Sequence, residues 1–152
     1  MQSETKGPFK LSHSEPHSPN STFDMNPEFV YFDIDDTLLD HQQAEREALA
    51  DVRDRYLTLF GTLSVDELQD TYRTINAPLW RQYADGKIGK QTVQQQRFER
   101  LLEAVDAPHA DATLVARYYM QRYGEHWTFI PGAREAFEAI AERHPVGVMT
   151  NG

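Results

Sequence analysis

Phe29-Val30-Tyr31-Phe32-Asp33-Ile34-Asp35-Asp36-Thr37-Leu38 begins as an apolar run and breaks abruptly into carboxylates. A short, uninterrupted run of β-branched and aromatic residues suits a buried strand of a parallel sheet. Side chains at i and i+2 of a strand point to one side, so Asp33 and Asp35 are expected to converge at the strand's carboxyl end. In open α/β sheets that edge is where ligands bind. Two close carboxylates repel, and a cation or a shared proton must stabilise them. A hard, oxygen-seeking ion such as Mg²⁺ suits the pair. Taken alone, Asp-x-Asp also reads as a solvated acidic turn that caps the next helix. An EF-hand calcium loop is excluded, because Leu38 and Ala44 stand where it needs glycine and glutamate. A receiver-type acidic pocket is excluded by the long, mostly helical stretch before the next clear strand.

Downstream, Ala48, Val52, Tyr56 and Leu59 recur at helical spacing and predict a helix over residues 41–60. Ser64-Val65-Asp66-Glu67 reads as a capping box. Leu68, Tyr72, Ile75 and Leu79 line one face of the helix it opens, and Asp85-Gly86 marks a turn. Val93, Phe98, Leu101, Leu102 and Val105 predict a third helix over 92–105, and a fourth over 110–123 stops at Gly124. Pro131-Gly132 opens a fifth, with Phe137 and Ile140 facing inward, and His144-Pro145 ends it. Val146-Gly147-Val148-Met149 is a second apolar strand, running into Thr150-Asn151-Gly152.

Upstream, residues 1–27 are rich in serine and proline and poor in apolar residues, which predicts a disordered tail. Met25 is a candidate true start just before the first strand. His13 and His17 have metal spacing on a helix, but Pro16 between them favours an unstructured tail.

The chain has 152 residues, enough for one domain that buries roughly two-thirds of its unfolded surface without disulfide or metal staples. Cysteine is absent, which excludes disulfide scaffolds, thiolate zinc sites and cysteine nucleophiles. With 24 Asp+Glu against 15 Lys+Arg the net charge is -9, contrary to the basic face of a nucleic-acid binder. No apolar run approaches the ~18 residues of a membrane-spanning helix, and no apolar segment follows the start as in a secretory signal. A cytoplasmic protein without nucleic-acid or membrane partners is the expectation.

The run Val30 to Leu38 resembles the first motif of the haloacid dehalogenase-like (HAD) hydrolase superfamily. Val146–Met149 with Thr150-Asn151-Gly152 resembles the second, and Pro131-Gly132-Ala133 resembles the stretch before it. The resemblance covers about residues 28–152 and implies an α/β, doubly wound core with an inserted four-helix cap. The implied division is core at 28–40 and 128–152 and cap at 41–127. It also implies that Asp33 is a nucleophile forming an aspartyl-phosphate, and that Asp35 is the acid that protonates the leaving oxygen and then the base that activates water. The Asp33 carboxylate and Asp35 backbone carbonyl would ligate Mg²⁺, and Thr150 and the Asn151 N–H would bind phosphate. Members resembling true dehalogenases lack a carboxylate at the Asp35 position, so its presence points to phosphate esters. Asp36 is expected to bond nearby backbone amides, with Asp40 doing the same or solvated.

Asn76-Ala77-Pro78-Leu79-Trp80, Tyr83, Gly86-Lys87-Ile88 and Gln96-Arg97-Phe98 are similar to the cap of bacterial pyrimidine 5′-nucleotidases of this superfamily. That similarity implies a nucleoside monophosphate substrate, with Trp80 and Tyr83 as base-stacking candidates. Phe98 fits a cap-core position; Arg97 is a candidate to approach substrate, but the expectation is a solvated or ion-paired arginine. The family pattern also has a lysine and an acidic pair after the second motif. Lys87 and Lys90 lie in the cap and Lys6 and Lys10 in the tail, so the chain is expected to be an amino-terminal piece, inactive alone. A non-catalytic phosphate-binding or interaction domain is the alternative, as is a phosphatase for another small ester.

Overall fold

The computed structural model describes residues 27–150; Met25, His13, His17 and the tail expected over 1–27, save its last residue, lie outside them, as does Asn151. Strand β1 (Val30–Asp33) pairs in parallel with β2 (Val146–Met149), Val30 opposite Val146 and Asp33 opposite Met149. Parallel partners need a crossover. Here it is made of α1 (His41–Arg55), α2 (Leu57–Phe60), α3 (Val65–Ala84), α4 (Lys90–Ala104), α5 (Ala112–Glu125) and α6 (Ala133–Ala141). The architecture is α/β, with a helical bundle inserted between two parallel strands. No helix among the described residues is long and apolar enough to cross a membrane.

The bundle core comes from the apolar stripes of α1, α3, α4 and α5. Leu49, Val52, Phe60, Leu68, Leu101 and Val115 are buried within it. Tyr72, Phe98 and Tyr119 meet at ring-centroid distances of 5.1 to 5.8 Å, a range in which aromatic pairs attract. Buried Glu45 accepts from Arg73 Nε at 2.6 Å and from Gln69 Nε2 at 3.0 Å, so its charge is matched where α1 packs on α3.

The helix expected over 41–60 breaks at Tyr56, where φ is −114° and ψ is 48°. The break turns Phe60 fully into the core, while the Tyr56 ring packs edge-on against Tyr118. Helix α3 runs through Pro78, which has no N–H to give the preceding turn. Helix α5 continues past Gly124 to Glu125, because Gln121 and Arg122 both reach the Glu125 carboxylate from the preceding turn.

The capping box at the start of α3 is complete. Ser64 Oγ accepts from Glu67 N at 3.2 Å, and the Glu67 carboxylate accepts from Ser64 N at 2.8 Å. Ser64→Ala is expected to cost about 1 kcal/mol, read as a lower urea midpoint with an unchanged slope. An unchanged midpoint would show that the box contributes nothing.

The strands differ from the expected buried pair. Phe32 packs on Phe137 of α6 at 5.1 Å. On the other face Tyr31 is 60% exposed and Met149 56%. Among the described residues α6 covers one face of the sheet and nothing covers the other. The connections between sheet and bundle pair with each other: Asp40 N donates to Thr128 O at 2.9 Å and Ile130 N to Leu38 O at 3.0 Å.

Candidate active site

The parallel register brings the carboxyl ends of β1 and β2 side by side. Asp33 stands opposite Met149, Ile34 N donates to Met149 O at 3.1 Å, and Thr150 follows directly. After β1 the chain turns tightly around one carbonyl, Ile34 O, which accepts from Leu38 N at 3.1 Å and Leu39 N at 2.9 Å. Asp36 takes a left-handed conformation (φ 54°) to make this turn, one that aspartate tolerates better than most residues. Its carboxylate accepts from Gln42 N, and Asp40 accepts from Gln43 N at 2.8 Å as the cap of α1. Asp36 and Asp40 therefore anchor the turn to the helix.

Asp33 is exposed at the strand end, and its Oδ2 accepts from Thr37 Oγ1 at 3.3 Å. Asp35 is half-buried and faces a cavity of about 530 Å³, which Thr150 also lines. The bundle supplies the remaining walls. Trp80, Tyr119, Tyr123 and Trp127 make them aromatic, and Asn76, Lys90, Gln94 and Arg97 add polar groups. His41 Nδ1 and the Tyr123 hydroxyl share a hydrogen bond within the cavity wall. Burial, reinforced by the negative charge of Asp35, pushes the Tyr123 phenol well above its ordinary range, so it stays protonated. Burial likewise raises the Tyr72 phenol, to about 12.

The structure thus brings Asp35, Thr150 and Trp80 to one cavity, with Asp33 at the adjoining strand end. Tyr83 does not line it; its ring packs edge-on against Trp80 at 5.5 Å. Arg97 departs from expectation. It is only 5% exposed, and among the described residues no carboxylate pairs with it. Its position explains this: Val93, Arg97 and Leu101 are four apart, so Arg97 falls on the inward stripe of α4. The same spacing relates Tyr72, Asn76 and Trp80 on α3, and Tyr119, Tyr123 and Trp127 along α5 and beyond it. Reading those i, i+4 series as one wall would have found the cavity residues that sequence reasoning missed.

For a divalent ion, the Asp33 carboxylate and Asp35 carbonyl offer the hard oxygen donors that Mg²⁺ takes. They would supply only part of a coordination shell: among the described residues no group of three or more His, Asp or Glu side chains stands together to hold a metal.

No family model matches the chain. It is 32% identical over 126 residues to the HAD-hydrolase YfnB of Bacillus subtilis, covering 81% of this chain and 50% of that protein. It is 27% identical to the pyrimidine 5′-nucleotidase YjjG of Escherichia coli and 30% identical to the pyrimidine 5′-nucleotidase PynA of Streptococcus pneumoniae. Those matches cover 84% and 82% of this chain, and 53% and 51% of those proteins. The chain therefore spans about half the length of the curated relatives it matches. The crystal structure of B. subtilis YfnB bound to magnesium, described as revealing interdomain movement, is similar to it with a TM-score of 0.72 and 31% identity. That match covers 82% of this chain and 54% of the YfnB chain. With these similarities joined to the carboxylate turn after β1 and the parallel strand beside it, the chain belongs to the haloacid dehalogenase-like hydrolase superfamily and resembles its pyrimidine nucleotidases.

Proposed function

We propose that the protein is a Mg²⁺-dependent phosphate monoester hydrolase acting on pyrimidine nucleoside 5′-monophosphates. The observation that carries this reading is the meeting of Asp33, Asp35 and Thr150 at the carboxyl edge of the sheet, against an aromatic-walled cavity. The core comprises residues 28–40 and 128–152, and the cap 41–127. Asp33 attacks phosphorus and forms an aspartyl-phosphate as the bond to the leaving oxygen breaks. A carboxylate nucleophile divides one hard displacement into two easier ones. Asp35, in its acid form, gives a proton to that oxygen; as a carboxylate it then takes one from the water that hydrolyses the intermediate. The Thr150 hydroxyl and Asn151 N–H hold phosphoryl oxygens. The Asp33 carboxylate and Asp35 carbonyl would hold Mg²⁺, which offsets phosphoryl charge when bound.

The test is phosphate release in Mg²⁺ buffer, by the protein extended to the length of its relatives, from a panel of nucleoside monophosphates, sugar phosphates and an aryl phosphate. Pyrimidine nucleotides are expected to give the highest kcat/KM. Release from none of them would remove the reading.

Trp80→Ala is expected to raise KM for UMP on the order of tenfold, the worth of one base–aromatic stack, while KM for p-nitrophenyl phosphate stays within about threefold. A small ester needs only the phosphate site, whereas a nucleotide needs a surface for its base. Equal responses would make Trp80 a packing residue.

A further inference from the structure

Two polar atoms on residues that line the cavity are buried with no hydrogen-bond partner, Arg97 Nε and Asn76 Oδ1; the Tyr72 hydroxyl, also buried, is partnered by Tyr119 and Arg97. Buried polar groups are nearly always paired, and two orphans on residues lining one cavity call for an explanation. Arg97 is the more costly of them, as a buried cation without a carboxylate. Its guanidinium lies 5.3 Å from the Phe98 ring centroid and 5.2 Å from that of Tyr119, and Nη2 donates to Met120 Sδ at 2.9 Å. Aromatic faces and a thioether are weak partners for a guanidinium. The walls around these atoms are flat rings, which suit a flat ligand.

We infer that Arg97 and Asn76 read the base of the leaving group, Arg97 donating to a ring carbonyl and Asn76 Oδ1 accepting from the adjacent ring N–H. The inference rests on the nucleotidase reading and assigns the residues that set its specificity. The Arg97 fork carries only donors, so it selects an acceptor. The Asn76 oxygen, on another residue lining the same cavity, selects a donor. A ring that presents both, an imide or lactam edge such as that of uracil, satisfies the two orphans together. A ligand lacking that edge leaves them unpaired, and unpaired buried groups are what make a hydrogen-bonding site selective.

The test is a binding measurement in the full chain carrying Asp33→Asn, so that ligand is held without turnover. Tryptophan fluorescence is titrated with UMP and with ribose 5-phosphate, which has the same phosphate and sugar but no base. UMP is expected to bind at least about tenfold more tightly. Arg97→Met, similar in size and uncharged, should reduce that ratio to about threefold or less without lowering the melting temperature, because it removes an unpaired buried charge. Should Arg97→Met fail to fold, Asn76→Ala carries the test, with a threefold or larger drop in the same ratio expected. A ratio unchanged in the folded variant, or no preference for UMP in the parent, overturns the inference. Hydrolysis is scored separately. A parent that prefers UMP through Arg97 while the unsubstituted protein, extended to the length of its relatives, releases no phosphate would sink the hydrolase reading alone.

Discussion

Asp33→Asn is expected to lower kcat for phosphate monoesters by a factor on the order of 10⁴ or more while leaving the melting temperature within a degree or two. The two halves of that expectation have separate causes. An amide has no lone pair fit to attack phosphorus and is a poor ligand for a hard cation, so the covalent route closes. The fold barely registers the change, because Asp33 is exposed and its carboxylate accepts from Thr37 through a long, 3.3 Å contact. Removing one of two neighbouring negative charges also relieves repulsion with Asp35. The measurement is steady-state phosphate release beside a thermal melt. Retained turnover in a folded variant would show that another group attacks phosphorus.

Asp35→Asn is expected to cost about 10² to 10⁴ in the rate of phosphoenzyme formation from a nucleotide, the usual range for a positioned acid. The loss with p-nitrophenyl phosphate should be much smaller, because nitrophenolate leaves without being protonated. Rapid-quench detection of the phosphoenzyme isolates this first step from the later water attack, which Asp35 also serves. Equal losses for both esters would move the acid's role to some other residue. The substitution leaves the backbone carbonyl of the turn in place, so binding of Mg²⁺ should survive it.

What was legible in the sequence follows the range of the forces involved. The two strands, the capping box at Ser64 and the turn-anchoring role of Asp36 are local: neighbouring residues dictate them through dihedral preference and short hydrogen bonds. The resemblance of the run around Asp33 supplied the fold and the candidate nucleophile, and the parallel register puts that residue at the carboxyl end of β1, opposite Met149. The break at Tyr56 was not legible, because only the packing of Phe60 and the contact with Tyr118 make it favourable. Arg97 was misread for a related reason. An arginine in a polar helix reads as solvated until the partner helices α3 and α5 close over it. Trp80 and Tyr83 looked equivalent in sequence, yet three residues of helix carry them round by most of a turn, and only Trp80 reaches the cavity.

The paired connections between sheet and bundle constrain how the cavity can exchange its contents. Residues 38–40 run out to the bundle and 128–130 run back, and they are joined to each other across both hydrogen bonds. Two independent tethers would let the bundle swivel and slide. Two tethers zipped together behave as one leaf spring, and the easy motion of such a spring is flexing across its flat side. Opening by this route lifts the aromatic walls from Asp35 and Thr150 together, then returns them along the same arc. Any flexing at these paired segments would carry the aromatic walls along one coordinate, with the carboxylate turn as its fixed jaw.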